Sequence, residues 1–420
     1  MTVTAPLPNA EWLLKPPLSL LLEVLDKDAE EARAVGGAVR NALLGEPVVE
    51  VDIATTALPE EVIRRAKAAG WKAVPTGIEH GTITVVVSGK PYEVTTLRQD
   101  VETYGRKAKV AFGRDWASDA RRRDFTINAL SVAPDGTFYD YVGGSADIAA
   151  RRVRFIGDAV LRIGEDYLRI LRFFRFHALY GQGQPDREGL HACIVMRRGL
   201  ATLSRERVRM ELLKLLVARH AVPALAVMAE SGLLGEVLGG VPQVASLSKM
   251  ITLETAIGAE PDWVRRLGAL AVLVAEDAER LWQRLRLTNA EHARLLAMAD
   301  GWWRMRPEAG DRAARAALYS LGSESFVDQV LLACSHSPPG GADGKWQALA
   351  TLPTRWTAPV SPFRAVDFIA SGIPKGPRLG AALRAAEAGW IAADFPADAG
   401  AIAQIREAAA RTAGAGAAKG

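Results

Sequence analysis

Two acidic residues separated by one apolar residue, Glu50 and Asp52 in Glu50-Val51-Asp52-Ile53-Ala54-Thr55, are the first groups in the chain spaced to do chemistry. On a β-strand, residues i and i+2 point to the same face, so the spacing predicts two carboxylates converging on one strand edge. Carboxylates placed that way can hold Mg²⁺ ions that also bind nucleotide phosphates. Two such ions, about 3.5–4 Å apart, activate a hydroxyl nucleophile and stabilise a departing pyrophosphate. A lone acid-x-acid pair is more often plain surface charge; its apolar flanks and the Gly-Gly turn shortly before it add weight here. That turn, Ala34-Val35-Gly36-Gly37-Ala38-Val39-Arg40, predicts a strand, a tight turn and a helix running through Leu44. Free backbone N–H groups at such a helix start form a natural phosphate site. Read alone, Gly-Gly-x-x-Arg is a weak signal, and a tight turn without chemistry is its favoured reading. Glu93, inside the β-branched run Tyr92–Leu97, is either a third metal ligand or an exposed edge residue. In Arg121-Arg122-Arg123-Asp124-Phe125-Thr126-Ile127-Asn128-Ala129-Leu130, the arginines suit a triphosphate, and Asp124 can accept a hydrogen bond from a ribose hydroxyl. A basic helix start before an apolar face is the plainer alternative.

The elements that must position these groups fall into two textures. The first 150 residues are mixed α/β: the runs Thr82–Val87 and Tyr92–Leu97 flank a Gly-Lys turn and predict a hairpin, and Pro59–Gly70 predicts a helix. From about Ile156 strand signals nearly vanish. Arg162–Tyr180, Arg205–His220, Val222–Leu238, Pro261–Leu287 and Asn289–Met305 all carry helical periodicity. Ser335–Lys345 is expected to be a surface loop, and Ala408–Gly420 a frayed tail. At 420 residues the chain is too long for one ordinary core, and we place divisions at 1–150, 151–240 and 241–420. No apolar run approaches the roughly 20 residues of a membrane span. The N-terminal residues lack a basic-then-apolar export signal, so a cytoplasmic protein is expected. Cys193 and Cys334 lie too far apart to form a metal cluster by themselves and read as reduced core thiols, and the six histidines show no metal spacing. The net charge of +4 says little, but arginines crowd into 98–123, 151–175 and 197–209. These are either solvated helix faces or a phosphate-binding surface.

Arg122–Leu130 resembles the ribose-recognition motif of class II tRNA nucleotidyltransferases and bacterial poly(A) polymerases, within the polymerase-β superfamily. The other family motifs then follow in order. Val35–Gly45 is similar to the opening Gly-Gly motif, and Glu50 with Asp52 to the metal pair. Asp140-Tyr141-Val142-Gly143-Gly144 and Asp147 resemble the hinge-like third motif, Glu165-Asp166-Tyr167-Leu168-Arg169 the base-reading motif, and Leu203–Leu212 the fifth. The resemblance implies an α+β, polymerase-β-like nucleotidyltransferase head followed by an elongated all-α neck, body and tail. Two departures stand out: Glu50 replaces a usual Asp but keeps its ligand oxygens, and Asn41 replaces a usual Asp after Arg40.

The activity implied by this resemblance is template-independent addition of CCA to the 3′ end of tRNA from CTP and ATP, with Mg²⁺. Glu50 and Asp52 would hold metal, and Gly36, Gly37 and Arg40 the triphosphate. Arg122, Arg123, Asp124 and Asn128 would position phosphate and ribose, and Asp166 with Arg169 would select the base. These last two are three apart on a predicted helix and share a face, with Arg172 and Arg175 continuing the stripe. An Asp acceptor beside an Arg donor matches the amino and ring-nitrogen edges of cytosine and adenine and opposes those of uracil and guanine. A plain Glu165–Arg169 ion pair is the competing reading of the same helix. Arg98–Trp116, with Gly105-Arg106 and Phe112-Gly113-Arg114, resembles the family's flexible loop. Arg205, Arg207 and Arg209 are expected to pack a neck helix, with Glu206 and Glu211 as ion partners. Lys375 and Arg378 beside Gly372–Gly380 form either an RNA contact or a structural turn. Alternatives are a poly(A) polymerase, an enzyme adding only CC or only A, and a catalytically silent tRNA-binding protein. Gly77-Ile78-Glu79-His80-Gly81-Thr82 looks like the CCA-type sequence and argues against the poly(A) reading.

Overall fold

The computed structural model describes residues 3–104, 107–338 and 343–415. The chain divides into two compact units, Met1–Pro242 with Arg284–Arg286, and Gln243–Gln283 with Leu287–Gly420. Among the described residues of the first unit ten strands form: β1 (Val3–Pro6), β2 (Ala32–Val35), β3 (Asp52–Thr55), β4 (Lys72–Gly77), β5 (Thr82–Val87), β6 (Lys90–Thr96), β7 (Arg98–Tyr104), β8 (Lys107–Phe112), β9 (Leu130–Val132) and β10 (Thr137–Asp140). Eight make one sheet in the order β1-β10-β9-β2-β3-β6-β5-β4, and β7 pairs with β8 as a separate ribbon. Within the large sheet β3 and β6 are parallel, with Ile53 opposite Val94, while the neighbouring pairs β2–β3 and β5–β6 are antiparallel.

The alternating side chains of β5 and β6 explain the sheet's two faces. Ile83, Val85, Val87, Tyr92 and Val94 are buried, whereas Glu93 between the last two is exposed. The β5–β6 hairpin forms as its sequence predicts, closed by Ser88 and Gly89, both at positive φ. Around the sheet lie α1 (Leu18–Leu25), α2 (Gly37–Leu44), α3 (Pro59–Ala68), α4 (Trp116–Arg121) and α5 (Gly144–Ala149). All-helical structure then takes over with α6 (Ala159–Glu165), α7 (Leu168–Tyr180), α8 (Arg187–Val195), α9 (Arg205–Leu216), α10 (Ala221–Glu230) and α11 (Leu233–Leu238).

Several predicted elements change on folding. The stretch Arg98–Trp116 is largely the β7–β8 hairpin rather than a loop, with Gly105 and Arg106 outside the described residues. The helix predicted over Arg162–Tyr180 is interrupted at Asp166, whose backbone is extended at φ −156° and ψ 106°. Val222–Leu238 splits into α10 and α11, with Gly232 at φ 73° between them. Pro261–Leu287 also divides, into Trp263–Ala271 and Ala275–Leu285, because the N–H groups of Leu273 and Val274 turn to Asp277 Oδ2 at 2.8 and 3.2 Å. Asn289–Met305 is α-helical only to Ala299, with a separate 3-10 turn at Trp302–Arg304. The tail is not frayed over the residues described, since Ala399–Ala415 is helical. The expected 335–345 loop begins after the helix Ser323–His336 and ends at Asp343, with residues 339–342 outside the description.

The second unit is wholly helical among its described residues. Its core contains a charge network centred on Asp328, whose side chain is fully buried. Asp328 accepts from Arg265 Nε at 2.9 Å and from Arg294 Nε and Nη2 at 2.6 and 3.0 Å. Arg265 and Arg294 retain Glu254 and Asp262 as further partners. Removing the central charge should still leave two poorly solvated guanidinium groups under-compensated. Asp328→Asn is therefore expected to destabilise this unit by about 3 kcal/mol, the lower end of the range for breaking a buried pair. Chemical denaturation followed by circular dichroism checks this; a loss below about 0.5 kcal/mol, typical of a surface substitution, would show the network to be dispensable.

Candidate active site

Gly36 leaves β2 at φ 65° and ψ −116°, and α2 begins at the next residue. A side chain at Gly36 would be strained by that φ, and its Cβ would sit 3.3 Å from Arg123 Nη1. Arg40, in the first turn of α2, is buried and held from three directions. Its Nη1 donates to Asn128 Oδ1 at 2.5 Å, and its Nη2 donates to Tyr180 Oη at 2.7 Å and to Asn41 Oδ1 at 3.0 Å. The guanidinium also lies 3.9 Å from the Tyr180 ring centroid. Burial lowers its pKa from the ordinary value. Asn41 in turn donates Nδ2–H to the Pro47 carbonyl at 3.1 Å, which ties Arg40 to the segment leading into Glu50. An aspartate there could accept from Arg40 but could not donate to Pro47.

Asp52 is the first residue of β3, and Glu50 lies before the strand in irregular backbone. The predicted strand pair of carboxylates is thus only half realised. The partner that shares the sheet register with Asp52 is Glu93, since both precede the Ile53–Val94 pair of two parallel strands. The protein wall around Asp52, and next the Glu93 charge, raise its carboxyl above the ordinary value; Glu50 acts in the same sense and Arg123 opposes. Among the described residues no group of three or more His, Cys, Asp or Glu is arranged as a metal cluster.

The ribose-motif segment is organised by an acid that sequence reading passed over. Asp119 on α4 is buried and holds Arg122 Nη2 at 2.6 Å and Arg123 Nη2 at 3.3 Å. Its i,i+3 and i,i+4 spacing to the two arginines was the available signal. Asp124 takes a two-pronged grip from Arg172, at 2.8 Å from Nε and 2.5 Å from Nη2, and accepts from Asn128 Nδ2 at 3.2 Å. Burial alone would raise the Asp124 carboxyl, but the Arg172 charge and its hydrogen bonds outweigh this and hold it below its ordinary value. The next motif locks against this one. Asp147, fully buried, accepts from Thr126 Oγ1 at 2.6 Å and pairs with Arg152 and Arg154. Gly144 must be glycine, because a Cβ there would lie 2.2 Å from the Thr126 carbonyl oxygen.

Asp166 ends α6 and lies in the junction before α7 instead of within a helix, and it accepts from Leu168 N at 3.1 Å. Its carboxylate is gripped by Arg207 of α9, through Nη1 at 3.1 Å and Nη2 at 2.6 Å. Burial would raise this carboxyl too, yet the Arg207 hydrogen bonds lead the effects that bring it below the ordinary value. The expectation that Arg207 serves only neck packing beside Glu206 and Glu211 is corrected accordingly. Glu211 instead pairs with Arg175 at 2.5 Å and faces Arg172 at 3.8 Å. Glu206 lies 3.9 Å from Arg286. The Glu165–Arg169 ion pair does form, and Arg162 joins it while donating to the Arg122 and Arg123 carbonyls.

These groups meet around one open cavity of about 560 Å³. Gly36, Gly37, Arg40, Asp52, Arg123, Asp124, Asn128, Asp166, Arg169, Arg172 and Arg175 all line it, together with Arg207, Tyr180 and Phe176. A smaller cavity of about 230 Å³ shares Asp52 and Arg123 and adds Glu93, Arg122 and Asp119. Glu50 lines neither cavity. Carboxylate oxygens at one place and six guanidinium groups in the same cavity suit a polyanion that carries a divalent cation. The class of protein that this sheet, helix start and cavity define is a nucleotidyltransferase.

Comparison with known proteins narrows the class. The family described as "Poly A polymerase head domain" matches residues 32–154, and "Probable RNA and SrmB- binding site of polymerase A" matches residues 184–247. The CCA-adding enzyme of Geobacillus stearothermophilus is 36% identical over 390 residues, covering 89% of this chain and 92% of that enzyme. The mitochondrial CCA tRNA nucleotidyltransferase 1 of Danio rerio is 44% identical over 275 residues, 64% of this chain and 63% of that protein. The chain thus spans just under two thirds of the length of the mitochondrial relatives it matches. Among solved structures, the Bacillus stearothermophilus CCA-adding enzyme in complex with CTP superposes with a TM-score of 0.73 at 29% identity, covering 94% of this chain and 98% of that one. The Thermotoga maritima CCA-adding enzyme complexed with tRNA shares the fold, with a TM-score of 0.72 at 18% identity, covering 97% of this chain and 100% of that one. The chain belongs to the family of CCA-adding enzymes, whose nucleotidyltransferase chemistry generally employs a divalent metal. No helix among the described residues is long and apolar enough to cross a membrane.

The depressed Asp124 carboxyl makes stability depend on pH. A carboxyl whose folded pKa lies below its unfolded value stabilises fully above the ordinary carboxylate range and loses that contribution as pH falls through the folded pKa. The difference in unfolding free energy between the wild type and Asp124→Asn should therefore be largest near neutral pH and shrink as pH drops below about 4. Urea denaturation across that range tests it; a difference that stays constant with pH would contradict the Arg172 assignment.

Proposed function

We propose that this protein adds CCA to the 3′ end of tRNA, using CTP and ATP and releasing pyrophosphate. The observation that carries the reading is the single cavity that joins Gly36, Gly37, Arg40 and Asp52 to Asp166 and Arg169. Groups suited to phosphate, metal, ribose and base around one cavity support a site that takes one nucleotide. We assign residues 1–150 to the catalytic head, 151–240 to the neck that reads the base, and 241–420 to a tRNA-binding body and tail. The two cysteines are buried free thiols, which favours a reducing compartment such as the cytoplasm.

The chemistry of the donor set fits a hard cation. Mg²⁺ is commonly held by one or two carboxylates, with substrate phosphates and water completing its shell. Asp52 is therefore the principal ligand, with Glu50 and Glu93 as the carboxylates whose charge reaches it. When bound, the cation supplies charge neutralisation at the α-phosphate and a lowered pKa for the attacking hydroxyl. The chain's own residues do the rest. The α2 N-terminus at Gly36 and Gly37, with Arg40 and Arg123, binds the triphosphate. Asp124, already oriented by Arg172 and Asn128, accepts from the ribose. The tRNA 3′ oxygen bonds to the α-phosphorus, the bond from that phosphorus to the pyrophosphate oxygen breaks, and the hydroxyl proton passes to solvent water.

Base choice rests on Asp166 as acceptor and Arg169 as donor. A carboxylate offers about four acceptor positions. Arg207 and Leu168 take three of those on Asp166, which leaves one for the amino group of cytosine or adenine. Uracil and guanine present a carbonyl there and would meet a charged acceptor unpaired.

Two experiments test the proposal. Purified protein with Mg²⁺ and tRNA lacking its end should extend it by CC with CTP alone and by CCA with both nucleotides. Repeated addition from ATP alone would instead favour a poly(A) polymerase, and no incorporation a silent RNA-binding protein. Asp52→Ala should lower the incorporation rate about a thousandfold, equivalent to about 4 kcal/mol of transition-state stabilisation; near-normal turnover would remove Asp52 from the metal site. Exchanging Asp166 and Arg169 for one another should let UTP or GTP compete, and an unchanged CTP/ATP preference would refute base reading by this pair.

A further inference from the structure

We propose a second nucleotide pocket in the helical unit that begins at Gln243. This pocket takes one unstacked base with its phosphate; the inference rests on the RNA-handling role proposed above. A cavity of about 290 Å³ opens there between the 300–309 turn segment and the helix Gly310–Leu321. Helical cores normally fill such space with side chains. Here Ala313, Ala314 and Ala317 leave it open, over a wall that includes the buried Phe326. The volume is near the lower limit of small-ligand pockets, about 300 Å³, which admits a base but not a whole nucleoside triphosphate.

Two further features give the slot a polar chemistry. Gln329 lines the cavity and is only 4% exposed. Its Nε2 donates to the Ala297 carbonyl at 2.6 Å, while among the described residues nothing donates to its Oε1. Gly301 makes room for this amide, since a Cβ there would lie 2.3 Å from Oε1. A base amino or imino N–H entering the slot would satisfy that acceptor. The cavity lining also includes Arg304 and Arg306, both exposed and without a carboxylate partner among the described residues. Arg304 is held over the exposed Trp303 ring, 4.5 Å from its centroid. Guanidinium groups so placed bind phosphate and stack on bases. Asp300 also lines the cavity; it repels phosphate but can accept from a sugar hydroxyl.

The nucleotide can come from RNA or from the free pool, and the experiment separates the two. Full-length protein is photolabelled with 8-azidoadenosine 5′-monophosphate, and separately with tRNA carrying 4-thiouridine, and adducts are mapped by mass spectrometry. Dissociation constants for tRNA lacking its end are measured in parallel for the wild type, Arg304→Ala/Arg306→Ala and Ala314→Leu. An RNA source predicts tRNA adducts within 301–306 and about tenfold weaker tRNA binding in both variants. A free-nucleotide source predicts azido-nucleotide labelling of that segment, lost in both variants with tRNA affinity unchanged. No adduct there from either probe overturns the pocket. Weakening by the double arginine variant but not by Ala314→Leu reduces it to a surface charge contact and also overturns it. Ala317→Val replaces Ala314→Leu if the latter does not fold. CTP incorporation into a short acceptor-stem hairpin should be the same in wild type and variants. Its absence in the wild type would strike the proposed activity, while the labelling arm still decides the pocket.

Discussion

Six arginines around one cavity repel one another, and the structure depends on how that repulsion is answered. Arg40, Arg123, Arg169, Arg172, Arg175 and Arg207 line the same space. Like charges at such distances cost several kcal/mol in a partly desolvated site unless each has a counter-charge or hydrogen-bond acceptor. The chain supplies these locally for two of them, Asp119 for Arg123 and Glu165 for Arg169, and from far along its sequence for three, Asp124 for Arg172, Asp166 for Arg207 and Glu211 for Arg175. Arg40 alone is met by neutral groups, Asn128, Asn41 and Tyr180.

This arrangement makes the α+β sheet and helices α6 to α9 of the first unit one physical object around the site. The Asp124–Arg172 pair crosses from the ribose segment to α7, and Asp166–Arg207 crosses from the junction between α6 and α7 to α9. Aromatic packing runs beside them, with Phe125 against Phe155 and Phe176 at ring separations of 4.9 and 5.3 Å. The groups proposed to choose the base are thereby fixed relative to those proposed to hold the triphosphate. Oriented groups of this kind need little reorganisation when a charged substrate arrives. The cavity lining itself carries six arginines against three aspartates, Asp52, Asp124 and Asp166, an excess of positive charge at its surface that a nucleoside triphosphate would neutralise.

The two departures from the family's usual residues also find a physical setting. Glu50 stands before β3 rather than on it, in a segment tied back by Asn41 to Pro47 and by Glu46 to Arg219 at 2.8 Å. A longer acidic side chain on a tethered loop and an amide that both accepts and donates are compatible with each other. Asn41 thus trades a charge for a second hydrogen bond.

Local signals in the sequence determined a good deal. The Gly-Gly turn into α2, the β5–β6 hairpin and the i,i+4 ion pair Glu165–Arg169 follow from glycine conformational freedom, β-branched alternation and helical spacing, all short-range effects. Motif order along the first half of the chain indicated the α+β head followed by helices. What only tertiary structure decided were the pairings between segments tens of residues apart. That Asp166 breaks a predicted helix to meet Arg207, that Glu93 rather than Glu50 shares the sheet register of Asp52, and that Tyr180 seats Arg40 across 140 positions could not be read from spacing. Periodicity reports which face of an element is apolar; it does not say which distant charge will be brought to satisfy a buried one, because that depends on the whole packing.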